Sequence, residues 1–276
     1  MKCYVISLPR ARERREPVTE EFRRANLPFQ FFDAVDGTRL SETTLASVDR
    51  EARQKRGLSR LDDAALACAL SHMAVFRALV VSGDEMAAIF EDGCLLGPAI
   101  GEILSALEHG PRDFGAVMLH QSRRALPGRK LARRFRPVRQ VTSGHEIGRF
   151  RFHDHGAFGY VITRAGAQHM LREFPRPVHE IDWIMPRYWE NGMFNVHYLN
   201  PPVVFHNYSL PSYIESARQG SWEENRGNIR ASPALAIRRF GAKQVNNFSR
   251  WLAWRKMRRF DTQLVTWGRK ERTVIG

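Results

Sequence analysis

Glu91 and Asp92 are adjacent carboxylates at the end of an apolar run, Met86-Ala87-Ala88-Ile89-Phe90, and Gly93 follows them. The run has the length of a buried strand. In an open α/β sheet, ligands sit beyond the carboxyl ends of the strands. Carboxylates there offer hard oxygen ligands to a divalent cation, and the cation can hold a diphosphate. Two readings stand: such a site, or an acidic turn that opens a solvated connection.

The elements that would position this pair can be read in order. Cys3 to Leu8 is a first buried strand, Pro9 ends it, and Arg10 to Ala25 is a charged helix. Strand, tight turn and helix N-terminus form a common nucleotide site. There Arg10, Arg12, Arg14 and Arg15 either reach a phosphate or make a solvated basic face. Phe29 to Gly37 is a second strand, and Asp36 either touches a nucleotide or only makes the Asp-Gly turn. Leu40 to Leu61 is a polar surface excursion. Leu66 to Val81 is an amphipathic helix with Leu66, Leu70, Met73, Val75, Phe76, Leu79 and Val80 as its core face. On it, Ser71 and His72 either brace the helix against the sheet or donate to substrate hydroxyls or phosphate.

Further along, Gly101 to His109 is a helix and Asp113 to Leu119 a strand. Arg123 to Arg139 carries eight basic residues and no acid. With Pro127-Gly128 and Pro137 it reads as a long loop, either a lid over an anionic acceptor or a solvated excursion. In His153-Asp154-His155 the histidines alternate along a strand with Asp154 facing away, so the triplet is structural or lines the acceptor pocket. Gly156 to Ala167 is strand, turn and helix start, and Val196 to His206 is a strand.

The 276 residues suffice for one large domain with an appendage, and 43% hydrophobic content supplies a core. The net charge of +14 calls for an anionic partner. Three scattered cysteines, Cys3, Cys68 and Cys94, form no disulfide framework and suit a reducing cytosol. The first apolar run is too short for a signal peptide, and no apolar stretch approaches the roughly 20 residues of a membrane span. Residues 221–276 hold thirteen Lys and Arg against four acids, a local +9. Ser232-Pro233 and Ser249 read as helix starts. At helical pitch Trp254, Met257, Phe260 and Leu264 share one side, opposite Arg255, Arg258 and Arg259. Such a segment either lies on an anionic membrane or packs on the core with its arginines in solvent.

The order Cys68, Ser71, His72, helix, Ser82-Gly83-Asp84, apolar strand, Glu91-Asp92 resembles glycosyltransferase family 25, the lipooligosaccharide galactosyltransferases. That family's signature reads G-C-x-x-S-H, a helix, then L-E-D-D. The chain departs from it at Gly93, where the family carries a second aspartate. Leu8 and Arg14 keep the spacing of the family's opening N-L and R, with Ser7 in place of asparagine. Phe32 to Gly37 is similar to F-x-A-V-D-G. Gly156 to Ala167 is similar to G-x-x-A-Y-V-I-S-R-x-G-A, with Gly159 for alanine and Thr163 for serine, both mild changes. Asp182 is nearest to the family's P-V-D aspartate, with Glu180 as competitor. Ser212-Tyr213-Ile214 is similar to S-x-I.

The resemblance implies an α/β, GT-A-like nucleotide-binding fold, a Rossmann-like mixed sheet flanked by helices, over residues 1–220. A basic helical C-terminal extension, 221–276, completes the chain. It implies transfer of a hexose, galactose first, from a UDP-sugar to a lipid-linked oligosaccharide such as lipopolysaccharide core, with inversion. Leu8, Arg14, Asp36, Ser71, His72, Glu91 and Asp92 would bind the nucleotide sugar, and Asp182 or Glu180 would be the base. Asp92 with His206 would hold Mn2+ or Mg2+, unless arginines replace the cation that Gly93 weakens. The enzyme would work in the cytoplasm, on the inner face of the membrane.

Two rival readings are a binding homologue that has lost its chemistry through Gly93 and a basic nucleic-acid-binding protein. No nucleic-acid motif supports the second, and the charge is concentrated in one run and the tail.

Overall fold

The computed structural model describes residues 1–51, 61–120, 131–150, 156–193, 195–210, 241, 244–245, 247–252 and 263–267, with backbone alone for 131–134 and 263–267. It is a mixed α/β fold built on a nine-stranded sheet whose strands lie in the spatial order Gln263–Trp267, Leu131–Thr142, His145–Phe150, Val196–Asn200, Ala116–Met118, Gly159–Thr163, Met86–Glu91, Lys2–Ser7 and Gln30–Asp33. The order of the first elements is β1 (Lys2–Ser7), α1 (Arg12–Arg24), β2 (Gln30–Asp33), α2 (Glu42–Ala46), α3 (Asp63–Ser82) and β3 (Met86–Glu91). The chain continues through β4 (Cys94–Leu96), α4 (Ile100–His109), β5 (Ala116–Met118), β6 (Leu131–Thr142) and β7 (His145–Phe150). It then forms β8 (Gly159–Thr163), α5 (Arg164–Glu173), α6 (Ile181–Ile184), α7 (Tyr188–Asn191), β9 (Val196–Asn200), β10 (Val204–His206) and β11 (Gln263–Trp267).

Alternation along β1 and β3 builds both faces of the sheet. Ile6, Ala87 and Ile89 point to one side, under Met73, Phe76 and Leu79 of α3 and Met170 of α5. Cys3, Val5, Ala88 and Phe90 point to the other, under Val18 and Phe22 of α1 and Ile103 and Leu107 of α4. Phe22 is fully buried and meets Phe90 edge-on at 5.1 Å. Truncating such a ring costs about 3–5 kcal/mol.

β1 runs parallel to both neighbours, β2 and β3. The connection after β1 passes over one face through α1, and the one before β3 passes over the other through α3. The carboxyl ends of β1 and β3 therefore flank the point where the winding reverses, where open α/β sheets place their ligands. The cap residues fix this geometry. The Asp62 carboxylate accepts from Ala65 N at 2.7 Å to start α3. Gly83, at φ 76°, ends α3 in the left-handed conformation and turns the chain into β3.

Several expectations change. Residues 131–139 of the expected loop belong to β6, which pairs with β7 from Phe135↔Phe150 onward. Pro137, the reason for that expectation, sits at a register shift, where the missing N–H is tolerated. Arg139 is bound to Asp113, with Nη2 3.2 Å from Oδ1. The stretch Val196 to His206 is two strands in two sheets, interrupted at Pro201-Pro202. Leu264 lies on β11, which pairs antiparallel with β6, and not on a helix. Ser249 is inside a helical stretch, 247–252, and does not start it. α3 is long and apolar enough to cross a membrane by length and composition, contrary to expectation, but it packs on the sheet as a core helix. Arg123, Arg124, Arg129, Lys130, the 153–155 triplet, Ser212 to Ile214, Ser232-Pro233 and Trp254 to Phe260 lie outside the described residues.

Candidate functional site

Asp92 follows β3 in a turn that is fastened to β1. Its backbone N–H donates to Ile6 O at 3.2 Å. Ser7, the last residue of β1, donates its hydroxyl to Asp92 Oδ2 at 2.7 Å, and Arg14 in the first turns of α1 donates Nε–H to Oδ1 at 2.7 Å. The side chains of Arg14 and Asp92 are each 11% exposed, so this is a nearly buried ion pair. Burial pushes the Asp92 carboxyl above the usual carboxylate range, against the Arg14 charge and the bonds from Ser7 and Arg14.

Glu91, at the end of β3, faces a different group. His72 Nε2 lies 3.2 Å from Oε1, and the Cys68 thiol donates to the same oxygen at 4.0 Å. His72 is fully buried, and its Nδ1 is 2.7 Å from the Tyr160 hydroxyl on β8. Burial raises the Glu91 carboxyl, but the bond and charge of His72, with the nearby His206 and His120, outweigh it and hold it below its usual range.

Asp182 belongs to the same end of the sheet. Its Oδ2 accepts the Gly156 N–H at 2.8 Å. Gly156 leads into β8, whose first residue, Gly159, pairs with Phe90. A Cβ on Gly156 would stand 3.3 Å from His120 Nε2, and His120 is one of the groups whose charge is felt at Glu91. Asp182 is partly exposed, whereas Glu180 is buried and paired with His179.

The other expected residues divide. Leu8 is half-buried at the turn after β1, its carbonyl accepting from Ala11 N. Asp36 makes the turn, capping Thr38 N at 3.0 Å, and also binds Arg10 Nε at 2.8 Å, which holds its carboxyl well below the usual range. Ser71 is buried, and its hydroxyl ties Val35 N to Ala67 O, bracing α3 against the β2 turn. His206 ends β10 opposite Cys94, with Nε2 3.7 Å from where a Gly93 Cβ would lie. His120 and Tyr160 were not singled out in the sequence. His120 follows the apolar run 114–119 as Glu91 follows 86–90, and that pattern is the signal that marks it.

A Mg2+ or Mn2+ ion at Asp92, as the resemblance implies, does not fit these residues. Each Asp92 oxygen already accepts a short bond. A Cβ on Gly93 would meet Arg14 Nη2 at 2.8 Å, so a guanidinium stands against the position where a side chain at 93 would begin. Among the described residues, the group whose atoms converge as ligands is Cys68, His72 and Glu91, within 4.8 Å of one another. Its thiol and imidazole suit Zn2+ better than a hard cation.

Residues 1–185 match the model of glycosyltransferase family 25, described as an LPS biosynthesis protein. The chain belongs to glycosyltransferase family 25. It is therefore a glycosyltransferase, and Glu91 and Asp92, the pair that resembles the family's acidic motif, stand at the carboxyl end of β3. Its relatives include the lacto-N-neotetraose biosynthesis glycosyltransferase LgtB of Neisseria meningitidis serogroup B, 27% identical over 94% of this chain and 97% of that protein. The lipooligosaccharide biosynthesis protein lic2B of Haemophilus influenzae is 28% identical over 60% of this chain and 61% of that protein. A solved glycosyltransferase involved in glycosylation of the major capsid of PBCV-1 aligns with TM-score 0.32 and 10% identity, over 79% of this chain and 97% of that one.

Proposed function

We propose that this family 25 enzyme transfers galactose from UDP-galactose, with inversion, to a lipid-linked oligosaccharide of the lipopolysaccharide or lipooligosaccharide type. The carrying observation is the Ser7–Asp92–Arg14 constellation at the reversal of winding between β1 and β3. The biosynthetic names of LgtB and lic2B support the acceptor class.

In this reading the diphosphate lies at the α1 N-terminal turns, beside Arg14, and the sugar faces Glu91 and Asp182. An acceptor hydroxyl oxygen bonds to the anomeric carbon from the side opposite the diphosphate. The bond from that carbon to the β-phosphate oxygen breaks, and UDP leaves with the electron pair. The hydroxyl proton passes to a carboxylate within hydrogen-bond reach, and partly exposed Asp182 suits this role better than buried Glu180. Asp182→Asn tests it: turnover should fall about 10²-fold or more while UDP affinity is kept. Full turnover in the folded variant would remove Asp182 from the mechanism.

The C-terminal segment supports contact with an anionic membrane on the cytoplasmic side. Val245, Phe248, Trp251 and Leu252 are exposed apolar side chains in a stretch that carries most of the chain's excess positive charge.

A further inference from the structure

Family 25's acidic motif places a second carboxylate at position 93, and this chain has none there. Arg14 reaches across from α1, donates Nε–H to Asp92 Oδ1 at 2.7 Å, and brings Nη2 to 2.8 Å from the Cβ position of Gly93. A side chain at 93 would require the end of the Arg14 side chain to shift. A divalent cation beside Asp92 would have to share a carboxylate with a guanidinium in a nearly buried site, where like charges repel strongly. The soft-donor group at Cys68, His72 and Glu91 is not of the class that bridges a diphosphate.

We propose that Arg14 takes the place of the divalent cation, so that this enzyme binds its nucleotide diphosphate and expels it without Mg2+ or Mn2+. This rests on the reading that the β1/β3 crevice takes a nucleotide sugar. When the anomeric C–O bond breaks, the electron pair stays on the β-phosphate oxygen. The fixed guanidinium lies beside that charge as it develops. A guanidinium is permanently protonated, planar and suited to phosphate oxygens. Asp92 then positions Arg14 and is not a metal ligand. Ser7, hydrogen-bonded to the other Asp92 oxygen, keeps that carboxylate in place.

The experiment compares the full-length wild type with Gly93→Asp, Arg14→Ala, Arg14→Lys and the double variant Arg14→Ala/Gly93→Asp. Transfer from UDP-galactose and UDP affinity by calorimetry are measured in EDTA and in added Mn2+, and bound Mn2+ is counted by electron paramagnetic resonance. The wild type should bind UDP and transfer sugar equally well in EDTA and show no tightly bound Mn2+. Arg14→Ala should lose about 10²–10³-fold in kcat, and Mn2+ should not restore it. The double variant should bind Mn2+ and recover activity only in its presence. Wild-type transfer or UDP binding that EDTA abolishes and Mn2+ restores would overturn the proposal, and this arm does not depend on any variant folding. Wild type that binds UDP in EDTA but transfers no galactose under either condition would sink the UDP-galactose reading while leaving the cation-free site standing. Failure to bind UDP under either condition would sink both.

Discussion

Arg14 and Gly93 form a matched pair: the guanidinium of one stands 2.8 Å from the Cβ position that the other lacks. The residue that approaches position 93 lies 79 positions earlier in the chain, on α1, and it is also the one that binds Asp92.

Asp92 should matter to stability as well as to binding. Asp92→Ala leaves Arg14 charged, nearly buried and without its carboxylate, which costs about 3–5 kcal/mol. Urea unfolding should show this loss, and calorimetry of the folded variant should show weakened UDP binding. Unchanged stability and affinity would mean that the ion pair carries neither.

Gly159 is a packing requirement, although its replacement of alanine reads as mild in the sequence. A Cβ there would meet Val204 Cγ1 at 2.6 Å. Gly159→Ala should destabilise by about 1–3 kcal/mol through overpacking. Val204→Ala in the same chain should recover part of it, so the melting temperature of the double variant should exceed the value expected from adding the two single changes.

These two positions mark how far the sequence could be read. Strand and helix identities at β1, α1, α3 and β3 follow from apolar spacing and from breakers such as Pro9 and Gly83, and they place Leu8, Glu91 and Asp92 at one edge. What Ser71 does was open, because a hydroxyl inside a helix suits bracing and binding equally; its bonds to Val35 and Ala67 are long-range and local at once. The Arg14–Gly93 and Gly159–Val204 contacts join residues far apart in the chain, and no local pattern encodes them. β6 is not legible because Pro137 and its arginines speak for a loop, while its pairing with β7 and β11 overrides them. His120 lacked any companion motif.

His197 is buried on β9 and its ring is held neutral, its pKa pushed down to about 3 by burial first and by the Arg149 charge second. The unfolded chain takes up this proton below the ordinary value of 6.5, and the folded chain does not until about 3. Stability should therefore be complete above the ordinary value and fall with acidification, by about 1.4 kcal/mol per pH unit from this group. Urea unfolding from neutral pH downward, repeated on His197→Gln, should show a shallower slope in the variant. Identical slopes would remove His197 as the source.

The membrane proposal is tested by substitution and not by truncation, because removing the tail also removes β11 from the sheet edge. Wild-type protein should float with anionic liposomes and detach as salt rises, each basic residue near the surface contributing about 1 kcal/mol. A Phe248→Ser/Trp251→Ser/Leu252→Ser variant should float less. Equal flotation of both would take the contact away from this stretch.

The central claim is that the crevice between β1 and β3 performs sugar transfer. The most direct measurement is product formation from a panel of nucleotide sugars with a truncated lipooligosaccharide acceptor, for wild type and Asp182→Asn side by side. The account predicts that UDP-galactose is the productive donor, that UDP and a galactosylated acceptor appear together, and that Asp182→Asn forms product about 10²-fold more slowly with UDP affinity unchanged. Absence of both transfer and hydrolysis for every donor in the panel, with a folded wild-type protein, would contradict it.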